Sequence, residues 1–81
     1  MLVTVPANYY VNGRADILVE STVLQILPSG SQWVAIGRTP DACWLLLQVD
    51  KEQLAWVSTT TVIITDDVAA LPIVNPAASN N

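Results

Sequence analysis

The apolar residues of this chain gather in short runs, each bounded by polar or turn-forming residues. Leu2-Val3-Thr4-Val5 reads as an opening strand, closed by Pro6, which lacks the N–H a ladder needs. Tyr9-Tyr10-Val11-Asn12 is a second short β-like run. The stretch from Gly13 to Ser21 follows no clean period and is read as a long loop. Residues 22–27 form the next strand, stopped by Pro28-Ser29-Gly30, where Gly30 is free to take positive φ. Residues 32–38 form another, and Thr39-Pro40-Asp41 turns the chain. Gly37, near the end of that strand, marks a bulge or sharp bend.

Trp44-Leu45-Leu46-Leu47-Gln48-Val49 is the strongest strand candidate, apolar on both faces. Leu54-Ala55-Trp56-Val57 is its hairpin partner across the polar turn Asp50-Lys51-Glu52-Gln53. Residues 58–61 are expected to make a short 3₁₀ turn and residues 62–64 a last strand, broken by Asp66-Asp67. The apolar stretch 68–74 is expected to pack back on the body, and 75–81 to be a disordered tail or interdomain linker. Short strands at regular spacing with turns between them predict an all-β fold, a small barrel or sandwich of about five to seven antiparallel strands.

Composition supports one domain. Of 81 residues, 52% are apolar and 12% charged, with a bias to Val, Ile, Leu, Ala and Thr that suits pleated surfaces. A chain of this size buries only ~60–65% of its unfolded surface, so its core must be dense. There are no internal repeats. A net charge of −4 with three scattered cations, Arg14, Arg38 and Lys51, argues against nucleic-acid binding, which needs clustered Lys or Arg.

Catalysis fails on inventory. The chain has no histidine to serve a Ser or Cys nucleophile as base. Cys43 stands alone, without a partner for a disulfide or company for a metal site, and reads as a small inert residue at a strand start. Asp66 and Asp67 are adjacent, so in a strand they point to opposite faces and share no site. No enzyme activity, cofactor or metal is therefore expected. The first residues lack a basic segment followed by a long apolar one, and no run approaches the ~20 residues of a membrane helix, so neither a signal peptide nor membrane insertion is expected. Met1 is equally compatible with a fragment cut from a longer chain.

The order of the pieces resembles the bacterial SH3 (SH3b) family. That family opens on Asn-x-Arg-Ser/Ala-Gly-Pro and continues through a strand ending in Leu-Pro-x-Gly, a strand leading to Gly-Arg, a Trp-led strand and a closing Gly-Trp-Val-Ser. Here Asn12-Gly13-Arg14-Ala15 precedes Val23-Leu24-Gln25-Ile26-Leu27-Pro28-Ser29-Gly30. Ile36-Gly37-Arg38, Trp44-Leu45-Leu46-Leu47 and Ala55-Trp56-Val57-Ser58 follow in order. The resemblance covers residues 9–64 as the barrel, leaving 1–8 as an extension or opening strand and 65–74 as a segment packed on it. The chain also departs from the pattern. Asp16-Ile17 replaces Gly-Pro, Ala55 replaces the glycine before the second Trp, and Trp33 stands where Val is usual, with a small Ala35 on the same face.

The resemblance implies a binding or targeting module for cell-wall peptide or another extended peptide, part of a larger envelope or extracellular protein. It places a groove beside loops 13–21 and 39–43. Tyr9, Tyr10, Trp44 and Trp56 are the candidate contacts, since aromatic rings supply area at low entropic cost. The alternative is that these rings are core, in a chain without phenylalanine. Asp16, Glu20 and Asp41 on flanking loops would favour basic or amine-bearing ligands. Arg14 is expected to hold the long loop through backbone carbonyls. Ile17-Leu18-Val19 is either an exposed contact surface for another protein domain or a second copy, or a loop folded inward as an extra strand. A structural assembly domain, homodimeric and without a soluble ligand, is the rival reading.

Overall fold

The computed structural model describes residues 1–17 and 21–74. Its strands are β1 (Leu2–Thr4), β2 (Val11–Arg14), β3 (Val23–Leu27), β4 (Gln32–Arg38), β5 (Trp44–Gln48), β6 (Leu54–Ser58) and β7 (Ile63–Ile64). They form one 7-stranded antiparallel sheet in the order β3-β2-β6-β5-β4-β1-β7. The fold is all-β, as the run-and-turn pattern predicts, and its only helical pieces among the described residues are the 3₁₀ turns Thr59–Thr61 and Val68–Ala70.

The sheet is curled into a barrel-like body. Val11 and Leu27 come from one end of the strand order and Val3 from the other, yet all belong to one buried cluster with Val5, Ala35, Leu45, Leu47, Val57 and Val62. A flat sheet of this order would hold those ends far apart. Leu27, Leu45 and Leu47 are fully enclosed; burying each such side chain contributes about 1.5–3 kcal/mol. Inward residues alternate along β5 and β6, so Leu45, Leu47, Ala55 and Val57 face the core. Trp44, Leu46, Trp56 and Ser58 share the outer face, paired in register as Leu46 with Trp56 and Trp44 with Ser58.

Turn chemistry works as the sequence suggests. Gly30 has φ of 76°, and its N–H donates to the Val5 carbonyl at 2.9 Å. The β4–β5 register shifts between Ala35 and Gly37, placing a bulge at Ile36. The second strand differs from expectation. It begins at Val11, two residues later than read, and runs on through Gly13 and Arg14. Gly13 explains the shift, since a Cβ there would lie 2.9 Å from the Ala55 Cβ and 3.3 Å from the Gln25 carbonyl oxygen. Only a glycine lets β2 close on both neighbours.

The C-terminal segment lies on the body. Val68 and Leu71 pack against the core, and Asp67 caps its 3₁₀ turn by accepting from the Ala69 N–H at 3.0 Å. Beyond it, residues 72–74 run beside the end of β4. The Arg38 N–H donates to the Pro72 carbonyl at 3.0 Å and the Val74 N–H to the Arg38 carbonyl at 2.8 Å. This strap occupies the β4 edge that β1 leaves free after pairing with residues 32–34. Residues 75–81, read as a tail or linker, lie outside the described residues.

Candidate functional site

The outer face of β2, β6 and β5 carries the site. Along β2, Val11 and Gly13 are buried, so Asn12 and Arg14 turn outward. Arg14 lies in register with Trp56 of β6, and Trp56 with Leu46 of β5. At the end of this face a cleft of about 220 Å³ opens between strand β2 and the start of β5. Tyr10, Val11, Asn12 and Arg14 line it from β2 and the residue before it, Trp44 from β5, and Ser58 and Thr61 from the end of β6 and the 3₁₀ turn.

Local hydrogen bonds fix the walls. Thr39 is buried; its Oγ1 donates to Asp41 Oδ1 at 2.6 Å and accepts from the Trp44 N–H at 3.2 Å. Asp41 Oδ1 also accepts from the Cys43 N–H at 3.0 Å. These bonds hold Ala42 at φ of 61°, a left-handed conformation unusual for alanine. The Cys43 carbonyl then accepts from both the Thr59 N–H, at 2.9 Å, and its hydroxyl, at 3.1 Å. The turn that presents Trp44 is thereby tied to the 3₁₀ turn bearing Thr61. Ser58 caps that turn, sharing a 2.9 Å bond with the Thr60 hydroxyl, while Thr61 Oγ1 donates to the Ser58 carbonyl at 2.6 Å.

On the other side, Arg14 Nη1 donates to the Ser21 carbonyl at 3.0 Å, and the Ala15 N–H donates to the Thr22 carbonyl at 2.8 Å. Arg14 thus clamps the long loop through a backbone carbonyl, the role its donors suggest in the sequence. The Ser21 hydroxyl adds a 3.1 Å bond to the Asp16 carbonyl.

The structure brings together part of the expected set. Tyr10 and Trp44 face the same cleft; Tyr10 is 67% exposed and Trp44 half-buried. Tyr9 is equally exposed but is not part of the lining. Trp56 is 6% exposed, buried beside Leu46 and outside the lining, the placement of a packing residue. Asp41 stands in its own turn. The Thr39 hydroxyl, with the Cys43 N–H, holds its carboxyl below the usual aspartate value. Asp16 is half-buried and accepts from the Ile17 N–H at 2.7 Å, away from the lining. Ile17 is half-buried, and Leu18, Val19 and Glu20 lie outside the described residues.

Sequence reasoning missed Asn12, Ser58 and Thr61, and took Arg14 only as a clamp. The signal was available in alternation: reading β2 as residues 11–14 places Asn12 and Arg14 together on one face. Among the described residues no group of three or more His, Cys, Asp or Glu is arranged to hold a metal, and no helix is long and apolar enough to cross a membrane. Cys43 is exposed, with no disulfide partner in a chain of one cysteine. Compared with known proteins, the chain matches no protein-family model, no curated protein and no solved structure.

Proposed function

We propose that this chain is a non-enzymatic binding module that holds an extended peptide across the Tyr10–Trp44 cleft. One observation carries the reading. Two aromatic side chains from separate segments, one of them two-thirds exposed, line one open cleft together with hydrogen-bonding groups. Aromatic walls supply area with little entropy to lose, and flanking polar groups serve the peptide backbone. The resemblance of residues 9–64 to bacterial SH3 domains supports cell-wall peptide as the ligand class and a targeting role within a larger envelope or extracellular protein.

The test is co-sedimentation of the purified domain with bacterial sacculi, with solution mass measured by light scattering. Retention that falls about tenfold in Trp44→Ala and in Tyr10→Ala, with both variants folded by circular dichroism, is the expected result; tenfold corresponds to about 1.4 kcal/mol, within reach of one lost aromatic contact. No retention of the parent domain overturns the cell-wall assignment. Retention indifferent to both substitutions overturns the cleft.

A second reading, self-assembly without a soluble ligand, is favoured by the edge strand β3. It pairs only with β2 among the described strands, carries no charged residue, and exposes Val23, Leu24 and Ile26 on both faces. Uncharged apolar edges are where strands of two chains pair. A concentration-independent monomer mass would sink this reading.

A further inference from the structure

We infer that the cleft selects peptides by a carboxylate, the free C-terminal carboxylate of the bound segment, held by Arg14 and Asn12. This inference rests on the peptide-binding reading and reverses the ligand charge that the acidic loops suggest.

The charge arrangement carries it. The chain as a whole is at −4, yet among the described residues the lining contains no acidic side chain and one cation, Arg14. Two of the three acids that the sequence places nearby are engaged elsewhere: Asp41 is committed to Thr39 and Cys43, and Asp16 to the Ile17 N–H, while Glu20 lies outside the described residues. The remaining cations are spent or remote. Arg38 Nη1 bonds the Thr39 and Pro40 carbonyls at 3.2 and 3.3 Å, and Lys51 lies in the β5–β6 turn.

Arg14 keeps capacity for a ligand. A guanidinium has five N–H donors in a planar fork. One, on Nη1, goes to Ser21, and no other Arg14 side-chain bond is recorded among the described residues. That bond also fixes the fork, so less freedom is lost when a carboxylate arrives. Asn12 lies two residues earlier on the same outward face, and no bond to its side-chain amide is recorded among the described residues. It offers two further donors beside the fork. The Ser58 and Thr61 hydroxyls are already engaged with the 3₁₀ turn. A carboxylate matches the free groups: an acceptor-only ion facing a bidentate donor and an amide. Tyr10 and Trp44 then flank the last residues of the peptide.

The test uses the intact chain, isotopically labelled, titrated with acetyl-tetraalanine as the free acid and as the C-terminal amide. The free acid is expected to shift the Trp44 indole N–H and the Arg14 Nε–H signals. The amide should bind about tenfold more weakly, the scale of a lost hydrogen bond to a charged group. Arg14→Lys and Asn12→Asp are the variants. Asn12→Asp leaves the Ser21 clamp intact and places an acid in the cleft, so it should abolish the preference for the free acid even if Arg14→Lys loosens the loop. Equal binding of acid and amide overturns carboxylate recognition and leaves the peptide cleft standing. A preference that survives Asn12→Asp also overturns it. No shift of the cleft signals by either peptide overturns both.

Discussion

Gly37→Ala tests whether the strap 72–74 belongs to the folded body. A Cβ on Gly37 would collide with Val74 Cγ2 and lie 3.4 Å from the Pro72 carbonyl oxygen. Gly37 does not have positive φ, so the substitution carries no left-handed strain and its cost comes from this collision. Overpacking of that kind costs about 1–3 kcal/mol where neighbours cannot yield. Here the chain has an escape, because the strap can detach. Detachment loses the Arg38–Pro72 and Val74–Arg38 hydrogen bonds, at about 1 kcal/mol each. It also exposes the Val74 side chain, half-buried over Gly37, adding about 1 kcal/mol. Detachment thus caps the loss near 3 kcal/mol, and an expected value of about 2 lies between the two routes.

The assay is urea unfolding of Gly37→Ala, Val74→Ala and the double variant, with amide exchange read at Arg38 and Val74. A loss of about 2 kcal/mol lowers the midpoint of thermal unfolding by roughly 10 °C in a domain of this size. Val74→Ala removes the colliding methyl and keeps a Cβ that lies 3.4 Å from the new one, an acceptable contact. The double variant should therefore recover more than about 1 kcal/mol relative to the sum of the singles, a coupling typical of residues in contact. Gly37→Ala that is neutral, with the Arg38 and Val74 amides still protected, would refute the placement of the strap. So would simple additivity of the two substitutions.

Other consequences follow from the same contacts. Gly13→Ala sets a Cβ against Ala55 and the Gln25 carbonyl; a loss of about 1–3 kcal/mol with raised exchange in β2 is expected by denaturation and hydrogen exchange, and a silent variant would deny the close packing of β2 on β6. Thr39→Val removes the donor to Asp41 and the acceptor for the Trp44 N–H, which should cost about 1–3 kcal/mol and bring Asp41 back towards its ordinary titration. Asp41 itself is depressed in the folded state below its usual 3.8, through the Thr39 hydroxyl first and the Cys43 N–H second. Its contribution is therefore complete above the unfolded value and fades as pH falls through the folded one. Carbon-13 titration of the carboxyl should show a midpoint below 3.8, and a midpoint at or above it would contradict the turn geometry. Ala42→Gly relieves a left-handed alanine at φ of 61°; a gain of about 0.5–1 kcal/mol in urea unfolding is expected, since the penalty removed exceeds the entropy glycine adds.

Local chemistry made the strands and turns legible. Pro28 and Gly30 end one strand and turn the chain at positive φ, and Gly37 adjoins the bulge that its missing side chain suggests. The β5–β6 hairpin is readable because apolar runs flank a polar turn, and its register puts Leu45 opposite Val57 as the core requires. The second strand was misplaced because Tyr9 and Tyr10 have strong strand propensity, whereas Gly13 does not. Tertiary packing decided otherwise, since the glycine is what β6 admits next to Ala55. The strap could be foreseen only as an apolar stretch, for its place is set by a free edge on β4 that exists only once β1 has paired.

The candidate site was half legible for a related reason. Tyr10 and Trp44 stand out by residue type, and type alone also pointed to Tyr9, exposed ahead of β2, and Trp56, buried beside Leu46, neither of which lines the cleft. Asn12 and Arg14 are unremarkable in type and become neighbours of Trp44 only because β2 pairs with β6 and β6 with β5. The same order separates folding from binding. Core side chains point inward from these strands while the cleft is built on their outer face and on turns held by their own hydrogen bonds. Substitutions at Tyr10 or Asn12 should thus change binding while leaving stability within about 0.5 kcal/mol, as surface changes usually do. Loss of stability at both positions would mean that this face is packing rather than site.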